Sequence, residues 1–245
     1  MRQIQKNYET NVVKQHKDEL IAAHLDEDSL LDPVNYPGYT GKKLYRYVRD
    51  IKIIPHFWDL KHQMYEEQGG ICCYCGLKIF KDRNGRKMSV EHLVPKGIQR
   101  ELVGEYKNLL LSCTIINDDT SLLGVNSIND PNLQHCDDSK GDTILNHTPL
   151  DINCERLFVY DSVGKVSGID ESVNADIITL GLNCQLLIER RKAALSILFD
   201  DNGNMVSNDE LKIISATIML PDANNNLREF CFVIKQVADS FISHP

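Results

Sequence analysis

Apolar positions in this chain recur mostly at helical spacing, interrupted by a few short stretches that suit strands. Val13, Leu20, Ile21 and Leu25 share one helical face, so the spacing predicts a helix from Val13 to Leu25. Residues 26–42 are rich in Asp, Pro, Gly and Tyr and read as an irregular connection. Leu44–Ile54 and Phe57–Gln68 read as two more helices. Pro55 divides them because it disfavours a helical residue before it, and Gly69-Gly70 ends the second. Leu77–Phe80 and Lys87–Val90 are short strand candidates, with Asn84-Gly85 between them as a favoured hairpin turn. A loop and then a helix beginning near Tyr106 would complete a ββα order.

Farther along, Leu157–Tyr160 and Lys165–Ser167 fit a second small hairpin. Cys184, Ile188, Leu195 and Phe199 line one face of a helix. Ser207-Asn208-Asp209-Glu210 forms a capping box for the next helix, and Leu227–Ile242 makes a last one. The expectation is an α+β protein in three parts: a helical segment over 1–70, a compact core over 71–145, and a mostly helical region over 146–245.

Composition narrows the class. The chain has 245 residues, 42% hydrophobic and 25% charged, which is ordinary for a globular protein. It has no run of about 18 apolar residues, so no membrane span is expected. Its start lacks an apolar secretory core, so a cytoplasmic location is expected. The eight cysteines should then stay reduced, which favours metal binding for the clustered ones. A net charge of −8 argues against a surface that binds nucleic acid everywhere. The charge is uneven, however: Lys78, Lys81, Arg83, Arg86, Lys87, Lys96 and Arg100 face only Asp82 and Glu91 between residues 78 and 100. Such an island suits a local substrate groove. Lys87, Lys96, Arg100 and the later Lys140 are the substrate-binding candidates.

The chemistry concentrates between Ile71 and Asp142. Cys72 and Cys75 have the spacing of a zinc knuckle. Cys113 and Cys136 would complete a four-thiolate site, with residues 114–135 as an insertion between them. The position three after Cys113 is Ile116 rather than a cysteine, and His135 is a rival for one ligand place. Cys73, Cys154, Cys184 and Cys231 read as core residues. Glu91-His92-x-x-Pro95 offers an imidazole that can act as a base near neutral pH. Glu91 can supply an oxygen to a hard cation, and Asp137 or Asn117 can supply another. Asn108 can brace the loop that carries the base.

Cys72-x-x-Cys75, Glu91-His92-x-x-Pro95, Asn108-Leu-Leu-x-x-Cys113 and Cys136-x-x-x-Lys140-Gly resemble the HNH (ββα-metal) endonucleases. Met1-Arg2-x-Ile4-x-Lys6 and Leu182-Asn183-x-x-Leu186 with Arg190 look like one branch, the PtuB-type nucleases of Septu and retron-linked anti-phage systems. The resemblance implies a zinc-stabilised ββα nuclease core flanked by N- and C-terminal helices. It implies His92 as general base, Glu91 beside it and Asn108 as the central Asn, with Asp137 aligned on the metal-binding Asn. It implies structural Zn²⁺, catalytic Mg²⁺ or Mn²⁺, a nucleic-acid substrate (DNA before RNA), and an ABC-type ATPase partner similar to PtuA. The alternatives are a stand-alone restriction-type HNH nuclease and a zinc-stabilised adaptor without catalysis.

Overall fold

Side-chain caps set several helix starts. In the computed structural model, which describes residues 1–80 and 88–242, Thr10, Asp26 and Thr40 each accept a backbone N–H from the turn they precede. Each satisfies a donor that a helix end leaves open. They open α1 (Asn11–Ala22), α2 (Glu27–Leu31) and α3 (Gly41–Val48). The third helix stops at Val48 rather than Ile54. The Asp50 side chain accepts the N–H of Lys52, a local turn that competes with helix continuation. α4 (Phe57–Gln68) keeps its expected bounds and ends at Gly69, whose φ of 64° suits glycine.

The central sheet differs from the expected hairpin. β1 (Ser89–His92) pairs antiparallel with β2 (Leu109–Ser112), from Ser89 opposite Ser112 to His92 opposite Leu109. Leu109–Ser112 is therefore a strand, and Tyr106–Asn108 is a single 3-10 turn rather than a helix start. All four β2 residues are buried, and a short apolar run buried on both faces carries no period that separates strand from helix. Ile71 and Lys78 form one isolated bridge, and Leu77–Phe80 is not a strand. The Asn84-Gly85 turn lies outside the described residues.

β2 has no open edge. Leu111 donates its N–H to Gln68 Oε1 at 2.7 Å, and its carbonyl accepts from Gln68 Nε2 at 2.8 Å and Cys73 N at 3.0 Å. One α4 side chain and the cysteine-bearing loop thus replace a third strand, closing an edge that would otherwise invite pairing.

The later chain adds α5 (Asn117–Leu123), α6 (Asp137–Lys140), the hairpin β3 (Phe158–Tyr160) and β4 (Val166–Gly168), then α7 (Glu171–Thr179), α8 (Gln185–Leu195), α9 (Asn208–Thr217) and α10 (Cys231–Phe241). Ser207 and Glu210 form the expected capping box. α7 is opened by Asp170, which accepts from Val173 N. One apolar cluster runs through all three parts of the chain, from Ile4, Leu20 and Leu60 through Leu109–Leu111 to Val233 and Val237. Hydrogen bonds cross between the first and last parts: Ile4 N to Pro149 O at 2.7 Å and Leu227 N to Gly69 O at 2.8 Å. The protein is thus mixed α+β, and no described helix is long and apolar enough to cross a membrane.

Replacing Gln68 by leucine keeps the volume but strands the Leu111 N–H in the core. An unmet buried donor costs about 1–3 kcal/mol. Gln68→Leu should lower the urea midpoint by that amount of stability, measured by circular dichroism.

Candidate functional site

Cys72, Cys75, Cys113 and Cys136 converge. Their four sulfurs lie within 4.8 Å of one another, and all four residues are buried. The Cys72–Cys136 and Cys75–Cys113 sulfur pairs are each 3.7 Å apart. Zn–S bonds of about 2.3 Å in tetrahedral closure place sulfurs about 3.8 Å apart. The four cysteines could hold a metal ion such as zinc.

Local backbone bonds explain how the sequence builds this node. Cys72 N donates to Leu77 O at 2.8 Å and Gly76 N to Cys72 O at 3.2 Å, while Leu77 N points at Cys75 Sγ from 3.4 Å. Gly76 has φ of +84°, and a Cβ there would approach Phe232 to 2.6 Å. Cys136 itself takes a φ of 57°, unusual for a side-chain-bearing residue, with its N–H held by Leu180 O at 2.8 Å. Burial first, then the neighbouring thiols, holds Cys136 well above the ordinary thiol range. At Cys72 burial acts the same way, but hydrogen bonds from the other thiols outweigh it and hold this group well below that range. A bound dication is the partner that would let all four ionise.

Cys73 is not among the four ligand candidates, and burial first holds its thiol well above the ordinary range. His135 lies beside the node, Nε2 being 3.4 Å from Cys113 Sγ and Nδ1 2.5 Å from Leu133 O. It buttresses a four-sulfur set that closes without it. Cys154 and Cys231 are buried and Cys184 is half-buried.

The neighbouring cluster is built on β1. His92, at its end, is 2% exposed. Its Nε2 lies 3.1 Å from Val103 O. A carbonyl only accepts, so Nε2 carries the proton and Nδ1 of the neutral ring keeps its lone pair. Nδ1 is buried and has no hydrogen-bond partner among the described residues. Burial first, then the charge of Lys96, lowers the His92 pKa to about 4. The ring is therefore neutral at pH 7. Tyr45 of α3 meets it edge-on, 4.8 Å between centroids.

Glu91 is 1% exposed. Its Oε1 accepts from Tyr74 Oη at 2.9 Å and pairs with Lys140 Nζ at 2.8 Å. Its carboxyl also hydrogen-bonds that of Asp137. Burial and the Asp137 carboxyl outweigh Lys140 and raise its pKa to about 8. The buried Glu91 and the half-buried Asp137 beside it have the donor set of a hard-cation site. Asp137 is the residue after Cys136, so the fourth thiol and this carboxylate are placed together.

Asn108 braces the loop as expected. Its Oδ1 accepts from Val94 N at 2.7 Å, and its Nδ2 donates to Val94 O at 3.0 Å and Leu102 O at 3.2 Å. Lys6, unassigned by the sequence, donates to Tyr106 O and to Leu109 O at 2.6 Å, on either side of Asn108. Burial lowers its pKa to about 7. Tyr45 and Tyr74 were equally unassigned. Tyr74 had one available signal, its place inside the cysteine pair.

Other expected residues fall elsewhere. Asn117 is exposed at the start of α5, while Asp137 takes the place beside Glu91. Lys140 is not turned toward a substrate: it is 2% exposed and donates to His92 O at 3.0 Å as well as pairing with Glu91. Arg100 spends its guanidinium on the carbonyls of Tyr36, Tyr39 and Leu30, so it clamps the residue 30–39 loop. Lys96 stays half-exposed beside the site. Lys87 lies outside the described residues. No protein-family model and no curated protein matches this chain.

Purified protein should carry one zinc per chain by elemental analysis. Cys75→Ser should lose the metal and either precipitate or melt at far lower temperature, because metal-binding energy here is folding energy. Cys73→Ala should keep one equivalent.

Proposed function

We propose that this protein is a metal-dependent endonuclease of the HNH type that hydrolyses phosphodiester bonds of DNA. One observation carries the reading: on β1 a neutral imidazole with a fixed tautomer, its Nδ1 without a hydrogen-bond partner among the described residues, follows a buried carboxyl, and the half-buried Asp137 of α6 stands beside that carboxyl. His92 Nδ1 takes a proton from water as it attacks phosphorus. The Val103 carbonyl then steadies the imidazolium through Nε2. Glu91 and Asp137 would hold a Mg²⁺ or Mn²⁺ ion, which supplies charge neutralisation at the leaving 3′ oxygen. Tyr74 and Lys140 orient Glu91, and Asn108 holds the loop over the base. The four-cysteine node, with zinc, would supply the rigid frame.

The anti-phage reading follows from the likeness to PtuB-type nucleases, with an ABC-type ATPase as partner. The acidic balance of −8 supports it, since a chain of that charge gains from help in holding a polyanion. The burial of Glu91 and His92 favours one competing reading, a zinc-stabilised adaptor without catalysis.

His92→Ala separates the two. Cleavage of plasmid DNA by zinc-replete protein with Mg²⁺ or Mn²⁺ should fall about 10²–10⁴-fold, with zinc content and fold intact. Equal rates for variant and wild type would remove the mechanism.

A second expectation concerns pH. In the folded chain Glu91 binds its proton up to about pH 8, whereas an unfolded Glu releases it near 4.3. The native state binds the extra proton between those values, so stability without a divalent ion should fall as pH rises through that window. The ion must displace this proton. Its apparent affinity should rise by up to about tenfold per pH unit toward pH 8 and then flatten. Calorimetry with Mn²⁺ at pH 6, 7 and 8 checks this; a flat profile rules out Glu91 as a ligand.

A further inference from the structure

The surface beside His92 differs in charge from the rest of the chain. Residues 33–49 hold Lys42, Lys43, Arg46 and Arg49, four tyrosines and no Asp or Glu. All four cations are exposed, and none is ion-paired among the described residues. α3 is fixed onto the site at both ends. A Cβ at Gly41 would lie 1.8 Å from Lys96 O, so glycine lets the helix start directly on the loop after His92. Farther along, Tyr45 meets His92, and its ring centroid lies 5.8 Å from the Arg49 guanidinium and 5.9 Å from Lys96 Nζ.

A cleft opens at each end of the helix. The first, about 590 Å³, is lined by Tyr39, Lys42, Lys96 and Gly97, with Glu101 and Asp142 on its wall. The second, about 420 Å³, is lined by Tyr45, Arg49, Trp58, Lys61 and Val90. Val90 is two residues from His92. Trp58 is half-exposed, with Lys61 Nζ 4.8 Å from its ring.

We propose that α3 and these two clefts form the docking surface for an unpaired stretch of DNA that enters the His92 site. The proposal rests on the nuclease reading above. Lys42, Arg46 and Arg49 neutralise successive phosphates, and local positive charge on an acidic protein confines the grip to this face. Rings with adjacent cations accept the face of an unpaired base. A duplex keeps its base faces stacked inside a stiff rod and cannot lay one on Trp58.

The full-length, zinc-replete chain tests this with a fluorescent 20-nucleotide DNA strand at 50 and 150 mM salt. Lys42→Glu/Arg46→Glu/Arg49→Glu should bind at least tenfold more weakly, with the log–log salt slope reduced by about two to three. Lys212→Glu, a charge reversal on α9, should bind as wild type. Trp58 is the only tryptophan of the chain, so unlabelled strand should quench its emission on saturation. Unchanged affinity in the triple variant, an equal loss in Lys212→Glu, unaltered Trp58 emission, or tighter binding of duplex DNA or of the matching RNA strand would each overturn it. A triple variant that binds like a DNA-cutting wild type removes the docking surface and leaves the nuclease standing. Selective loss of binding in a protein that cuts no DNA does the reverse.

Discussion

Four buried thiols within one metal ion's reach are the constraint on which the rest of this structure depends. The node joins three distant stretches: the turn at residues 72–75, the end of β2, and the start of α6. Each ligand sits next to something the neighbouring cluster needs. Tyr74, between Cys72 and Cys75, reaches Glu91. Cys113 directly follows β2, the strand that pairs with β1. Asp137 follows Cys136, whose left-handed backbone turns the chain at that point. Burying these sulfurs without a dication costs ionisation or leaves them neutral and unmatched. Metal binding and the geometry of the carboxyl pair are thereby coupled.

The second cluster works by placing groups where solvent would normally set their charge. Burial pushes His92 down and Glu91 up, in each case toward the neutral form. Lys140 offsets part of this cost by facing Glu91 from inside the protein. Buried charged groups of this kind are expensive to hold unless they are paired and hydrogen-bonded, and here the partners are supplied by Tyr74, Asp137 and the His92 carbonyl.

An acidic net charge and a local basic face coexist once the chain is folded. The segment that looked like an irregular, tyrosine-rich connection runs into a short basic helix against the imidazole. The sequence island at residues 78–100 offered cations by proximity in number alone, and among the described residues folding gave Arg100 and Lys96 different tasks. Arg100 clamps a loop and Lys96 borders a cleft. The same division explains why Asp137 rather than Asn117 stands beside Glu91: nine residues along the chain from Asn108 lead outward to α5.

The sequence by itself determined the features that depend on local chemistry. Cysteine spacing gave the four-sulfur set because few groups other than a metal gather thiols at such intervals. Helix α4 was legible between Pro55 and Gly69, as was the α9 capping box, because caps and breakers act within a few residues. The β3–β4 hairpin was legible from a short turn. Tertiary structure alone decided the pairing of β1 with β2, since Leu109–Ser112 is buried on every side and shows no period. It alone decided that Gln68 closes the edge of β2, that Lys140 faces inward, and that Tyr45 meets His92. These contacts join residues 17 to 49 positions apart in the chain, and their energy comes from desolvation and burial that only the folded whole creates.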